Sequence, residues 1–83
     1  MPEEEVGIVS HYYTHLAVGV VELSKPLKVG DKIHIKGANT EFTQKVESMQ
    51  IEHLKVQEAK AGQGIGLKVI DHVRQHDKVY KVI

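Results

Sequence analysis

Apolar and polar residues alternate with period two along most of this chain, most clearly in Lys32-Ile33-His34-Ile35-Lys36. Ile33 and Ile35 fall on one face of an extended segment, and Lys32, His34 and Lys36 fall on the other. The strand is fed by Leu27-Lys28-Val29-Gly30-Asp31. In that turn Gly30 accepts positive φ at little cost, and Asp31 can bond the backbone ahead of it. Upstream, Val6 to Tyr13 and Leu16 to Leu23 are two β-rich runs joined through Thr14-His15, which predicts a hairpin or sharply bent strand pair. Gly19 interrupts the second run and predicts a bulge or a close backbone approach. Ser24-Lys25-Pro26 then breaks the pattern. Downstream, Gly37 to Thr40 reads as a turn and Phe42 to Glu52 as a strand antiparallel to the central one, placing Lys45 close to His34 or Lys36. Its apolar parity changes near Ser48-Met49-Gln50-Ile51, which demands a bulge or bend.

The remaining third is less regular. Val56, Ala59 and Gly62 recur at three-residue spacing within His53 to Gln63, a pattern that predicts a single helical turn or irregular crossover. Gly64 to Ile70 predicts a strand with Ile65, Leu67 and Val69 inward, Asp71 to Asp77 a polar connector, and Lys78 to Ile83 a closing strand. Residues 1–5 are acidic with little to bury, so they are expected to be disordered, leaving residues 6–83 as one domain. The fold class expected is all-β, a small six-stranded antiparallel barrel with Ile33, Ile35, Val46, Leu67 and Val69 in its core.

Composition narrows the function. A chain of 83 residues has room for one small core, worth ~3–5 kcal/mol, and none for a second catalytic domain. Eleven cations balance eleven anions, so any attraction to nucleic acid or membrane must come from a local patch. Without cysteine there is no disulfide frame, thiolate metal site or cysteine nucleophile. No apolar run is long enough to span a bilayer, and Met1 to Glu5 has the wrong charge for a signal peptide. A cytoplasmic protein without membrane contact is the expectation.

Candidate chemistry is sparse. His11 with His15 and His72 with His76 are spaced for a metal only if they lie on helices, which the pattern does not predict, so no metal or cofactor is expected. Gly62-Gln63-Gly64-Ile65-Gly66 has the glycines of a phosphate loop but is followed by a strand rather than a helix, so turn geometry and packing explain it better. No serine sits in a nucleophile elbow and no carboxylates are paired in a motif, so the chain is expected to be no enzyme. Tyr12 and Tyr13 must face opposite ways, one toward the core and one exposed. The feature that stands out is a basic stripe of Lys32, His34, Lys36 and Lys45, approached by Lys25 and Lys28. A second cluster, Arg74, Lys78 and Lys81 with His72 and His76, is diluted by Asp71 and Asp77.

Several segments together resemble a known domain. Gly19, Val21 and Glu22, then Leu27 to Asp31, then Val46-Glu47-Ser48-Met49-Gln50, then Val56, Glu58-Ala59, Ala61-Gly62 and Gly64 to Leu67 resemble in order and spacing the second, β-barrel domain of translational GTPases such as elongation factor Tu, especially stand-alone elongation-factor-like proteins. The likeness to the C-terminal barrel of collagenase-like peptidases is looser. The Ser24-Lys25-Pro26 turn is longer than the usual one, and no phosphate loop of the GTPases is present, so GTP binding does not carry over. The resemblance implies a non-catalytic module of translation, contacting RNA or the ribosome through Lys28, Lys32, His34, Lys36 and Lys45. The alternative is a protein-interaction module docking onto a separately encoded enzyme, a GTPase or a collagenase-like peptidase.

Overall fold

The computed structural model describes residues 3–52 and 54–83. Among them there is no helix, and ten strands follow in order: β1 (Glu3–Tyr13), β2 (Val18–Leu23), β3 (Leu27–Lys28), β4 (Lys32–Lys36), β5 (Glu41–Lys45), β6 (Met49–Ile51), β7 (Leu54–Val56), β8 (Glu58–Ala59), β9 (Gly64–Lys68) and β10 (Lys78–Val82). Eight form one sheet in the order β5-β4-β10-β1-β2-β9-β6-β7, and β3 pairs with β8 in a separate ribbon. Every pairing is antiparallel.

The expected six-stranded barrel is therefore corrected in two respects. The run from Phe42 to Glu52 is two strands, because β5 pairs with β4 while β6 pairs with β7 and β9. The parity change near Ser48 marks where the chain leaves one part of the sheet for another. The segment read as a helical turn or crossover supplies β7 and β8, with Ala59 buried; His53 lies outside the described residues.

The ladder also stays open, with β5 and β7 at its ends. A side chain spans the gap instead. The amide of Gln44, buried on β5, donates to Lys68 O at 2.9 Å and accepts from Ile70 N at 2.8 Å, just beyond β9. Sheet edges need partners for exposed backbone groups, and one amide offers both a donor and an acceptor.

The core follows the alternation. Ile33, Ile35, Val46, Leu67 and Val69 are all buried, joined by Val9, Val21, Ile65 and Val79 from the strands between. The Gly30-Asp31 turn is built as its residues require: Gly30 has φ 97°, Asp31 Oδ2 accepts from Lys28 N at 3.0 Å, and Gly30 N donates to Val46 O at 2.9 Å. Gly19 is a close approach, since a Cβ there would lie 3.0 Å from Val73 Cγ2.

β1 is the strand that ties the sheet together, pairing with β10 through Glu3 to Ile8 and with β2 through Gly7 to Tyr13. Two register shifts, between Glu5 and Gly7 and between Val9 and His11, turn both Val6 and Val9 into the core. The second shift also sends Tyr12 toward the core and leaves Tyr13 on the surface. The acidic start is strand from Glu3 onward, with Glu3 opposite Val82 and Glu5 opposite Tyr80; Met1 and Pro2 lie outside the described residues. Backbone pairing with β10 orders a stretch that has no apolar side chains of its own.

Candidate functional site

The outer face of β5, β4, β10 and β1 carries most of the basic stripe. Register places Lys45 opposite Lys32, not beside His34 or Lys36; Thr43 is opposite His34 and Glu41 opposite Lys36. On the other side of β4, Tyr80 faces His34 and Lys78 faces Lys36. Lys28 is elsewhere. It lies in the β3–β8 ribbon opposite Glu58 and borders a small cleft with Asp31 and Lys81, where Lys81 Nζ is 3.5 Å from Asp31 Oδ2.

Carboxylates are threaded through this face. His34 Nδ1 is 2.8 Å from Glu3 Oε2 and His34 Nε2 is 3.1 Å from Glu41 Oε2, so one imidazole bridges two acids from strands on either side. Lys78 Nζ is 3.7 Å from Glu5 Oε1. The face is a mixed array of charges rather than a basic one. Sequence spacing showed the cations of β4 but not the acids, because Glu3 and Glu5 reach it through pairing with β10, at the far end of the chain.

The outer face of β2, β9 and β6 is different in kind. Tyr13 is 49% exposed and Leu16 67% exposed, and with Val18 and Val20 they wall an open groove of about 230 Å³. Gly64 and Gly66 form its floor, and Gln50 and Glu52 close one end. Tyr13 is braced by His11, their ring centroids 4.5 Å apart in an edge-on arrangement, whereas Tyr12 packs on His72 at 4.6 Å. The alternation required one tyrosine to be exposed but did not distinguish which. Among the described residues no set of three His, Asp or Glu side chains converges as metal ligands, and no helix is long and apolar enough to cross a membrane.

Comparison with known proteins points to the peptidases, in place of the translational GTPases. Over 77 residues, 92% of the chain, the sequence is 42% identical to an uncharacterised protease of Methanocaldococcus jannaschii, covering 19% of that protein. Over 78 residues it is 38% identical to a collagenase of Porphyromonas gingivalis, covering 92% of this chain and 22% of that one. The chain thus spans about one-fifth of the length of the curated relatives it matches. Its fold superposes on the C-terminal domain of a Geobacillus thermoleovorans protein assigned to the U32 peptidases, with a TM-score of 0.89, 22% identity and coverage of 96% of this chain and 93% of that one. The selenomethionine form of that domain superposes with a TM-score of 0.87. No family model matches the chain.

These findings overturn the elongation-factor resemblance and the translation role it implied. The RNA- or ribosome-contacting role of the stripe loses its premise; acids are interleaved with it at His34 and Lys78, while Lys32, Lys36 and Lys45 belong to no ion pair among the described residues. The looser likeness, to the C-terminal barrel of collagenase-like peptidases, was the better one. Nor do the relatives support the expectation of a non-enzyme, since they are named as proteases and collagenases. A small β domain satisfies the Gly-Asp turn and the alternating core of both resemblances, so those motifs report fold and not activity.

Proposed function

We propose that this chain is an accessory β domain of a peptidase system, a module that engages polypeptide while a separate peptidase body supplies the cleavage chemistry. The observation carrying this reading is the alignment of 92% of the chain with only 19% of a protease, at 42% identity. A region of that size beside a body several times larger suits positioning of substrate, and holding a substrate remote from the reacting bond lowers the entropic cost of reaching it. The same reading holds whether body and domain share one chain or meet as two.

The test is an exchange. The segment of the Porphyromonas gingivalis collagenase that aligns with this chain is replaced by this chain, and hydrolysis of gelatin is compared with that of the segment-deleted and intact proteins. The expected outcome is a raised KM with little change in kcat on deletion, and recovery of KM in the exchanged protein. Cleavage of gelatin by this chain alone, abolished by a single polar substitution, would contradict the accessory role. A folded exchange protein with the kinetics of the deletion would contradict it too.

A further inference from the structure

The groove on the β2–β9–β6 face has a floor that the fold does not require. Gly64 opens β9, and in the middle of a strand glycine is unfavourable by roughly 0.5–1 kcal/mol relative to alanine. A Cβ built on it meets nothing within 4 Å, and its φ is not among the positive ones. Neither the space around its Cβ nor a positive φ calls for glycine at this position, and close approach of another backbone or ligand is one of the uses that strand glycines serve. Gly66 contrasts with it, because a Cβ there would press on Val18 Cγ1 at 3.3 Å.

Charge surrounds the same spot. Glu22 of β2 is opposite Gly64 and Gln50 of β6 is opposite Gly66, and Glu52, in the turn that follows β6, lines the groove together with Gly64. Both glutamates are exposed, and neither belongs to an ion pair among the described residues. Among the described residues no lysine or arginine lines the groove; Lys68 lies further along β9, opposite Val18, and Lys55 of β7 is opposite Gln50. The Gly64 end of the groove is therefore acidic, with Glu52 in its wall and Glu22 beside it, and Tyr13, Leu16, Val18 and Val20 supply apolar wall. Its volume of about 230 Å³ is below the ~300–1,000 Å³ of enclosed small-molecule pockets, and it is open along its length.

We infer that this groove binds an extended polypeptide, seating a lysine or arginine over Gly64 between Glu22 and Glu52 and packing an adjacent apolar side chain against Val20, Leu16 and Tyr13. The inference rests on the accessory-domain reading and names the substrate class and the face that takes it. Gly64 leaves the space for the partner's chain, the carboxylates select a cation there, and the tyrosine braced by His11 gives a rigid wall at low entropic cost.

The test is fluorescence anisotropy on the intact chain with two labelled peptides, four repeats of Pro-Leu-Lys and four repeats of Pro-Leu-Glu. The lysine peptide is expected to bind at least tenfold more tightly than the glutamate peptide. Gly64→Val, whose Cβ enters open space, is expected to weaken the lysine peptide about tenfold. Glu22→Gln with Glu52→Gln should reduce the preference for lysine over glutamate, and Lys36→Ala on the other face should change nothing. Equal binding of the two peptides overturns the inference, as does unaltered binding by a Gly64→Val variant whose thermal midpoint matches the parent. A dimer in sedimentation that Gly64→Val breaks would assign the groove to a second copy and overturn it as well. Because these titrations use the chain without any peptidase body, their failure is separable from failure of the exchange experiment.

Discussion

The two outer faces of this sheet share one core and differ in what surrounds their charges. On the β5–β4–β10–β1 face charges are answered in part: His34 lies between Glu3 and Glu41 and Lys78 reaches Glu5, while Lys32, Lys36 and Lys45 belong to no ion pair among the described residues. On the β2–β9–β6 face, Glu22 and Glu52 flank a bare glycine in a groove that runs on to exposed Tyr13 and Leu16, with no ion pair to either glutamate among the described residues. What the second face has and the first lacks is an open groove beside its unpaired charge, and exposed charge without such space is largely screened by water and salt. Cation density along one strand is therefore a poor guide to a binding face; unanswered charge next to unfilled space is a better one.

The largest expected effect tests what the faces have in common. Ile35→Ala removes a buried side chain beneath the charged face and should cost ~2–5 kcal/mol, comparable to the whole ~3–5 kcal/mol of a core this small. Urea unfolding should show a chain partly unfolded without denaturant, with both faces lost together. If His34 and its neighbours alone lose their order while β2, β9 and β6 keep theirs, the single-core account is wrong.

Next comes the bridge across the open ladder. Gln44→Leu keeps the volume but leaves Lys68 O and Ile70 N without their partner, and should cost ~1–3 kcal/mol. Hydrogen exchange at the Ile70 amide should accelerate far more than at Val79 in the sheet centre; equal acceleration would mean that Gln44 is not the tie between β5 and the end of β9.

Gly37→Ala is expected to cost ~1–3 kcal/mol, because a Cβ there runs into the carboxylate of buried Asp77, which accepts from Arg74 N at 2.9 Å. Asp77→Ser shortens the obstructing side chain while keeping an acceptor for that N–H. A double-mutant cycle should therefore show the two substitutions together costing less than their sum, and strict additivity would remove the contact from the account.

The smallest effects separate the faces. Glu3→Gln and Glu41→Gln should each change stability by no more than ~1 kcal/mol, since both carboxylates are solvent-accessible. Gly64→Val should be neutral or stabilising by up to ~1 kcal/mol, because a β-branched residue suits a strand and its Cβ meets nothing within 4 Å. Thermal midpoints for the three variants check this directly. A destabilised Gly64→Val would show that the glycine serves the fold.

Most of the core was legible in the sequence, because a buried sheet face writes itself as period two and Ile33, Ile35, Leu67 and Val69 obey it. The Gly30-Asp31 turn was equally legible, since its chemistry is local. Strand partners were not. Nothing near Lys45 says that the chain crosses to β9 after Val46, and nothing near Glu3 says that β10 will carry it to the flank of His34; both depend on pairings between distant parts of the chain. Short strands such as β7 and β8 carry too few residues for a period to show, and Val56 and Ala59 matched a helical spacing by coincidence. The groove was hidden for a related reason: Gly64 reads like any turn glycine until the space above it is known, and Tyr13 is exposed only because of the register shift between Val9 and His11. The Gly62-to-Gly66 segment is in fact a mixture, with Gly62 at φ 88° in a turn, Gly66 under Val18 and Gly64 bare.

The contrast between the faces is tested most directly by mapping backbone amide shifts of the chain as the Pro-Leu-Lys peptide is added. The account predicts that the perturbed amides gather on Tyr13, Val18 to Glu22, Gln50 to Glu52 and Gly64 to Gly66, while those of Lys32 to Lys36 and Glu41 to Lys45 stay in place. Perturbation centred on β4 and β5, with the glycine floor unmoved, would contradict it.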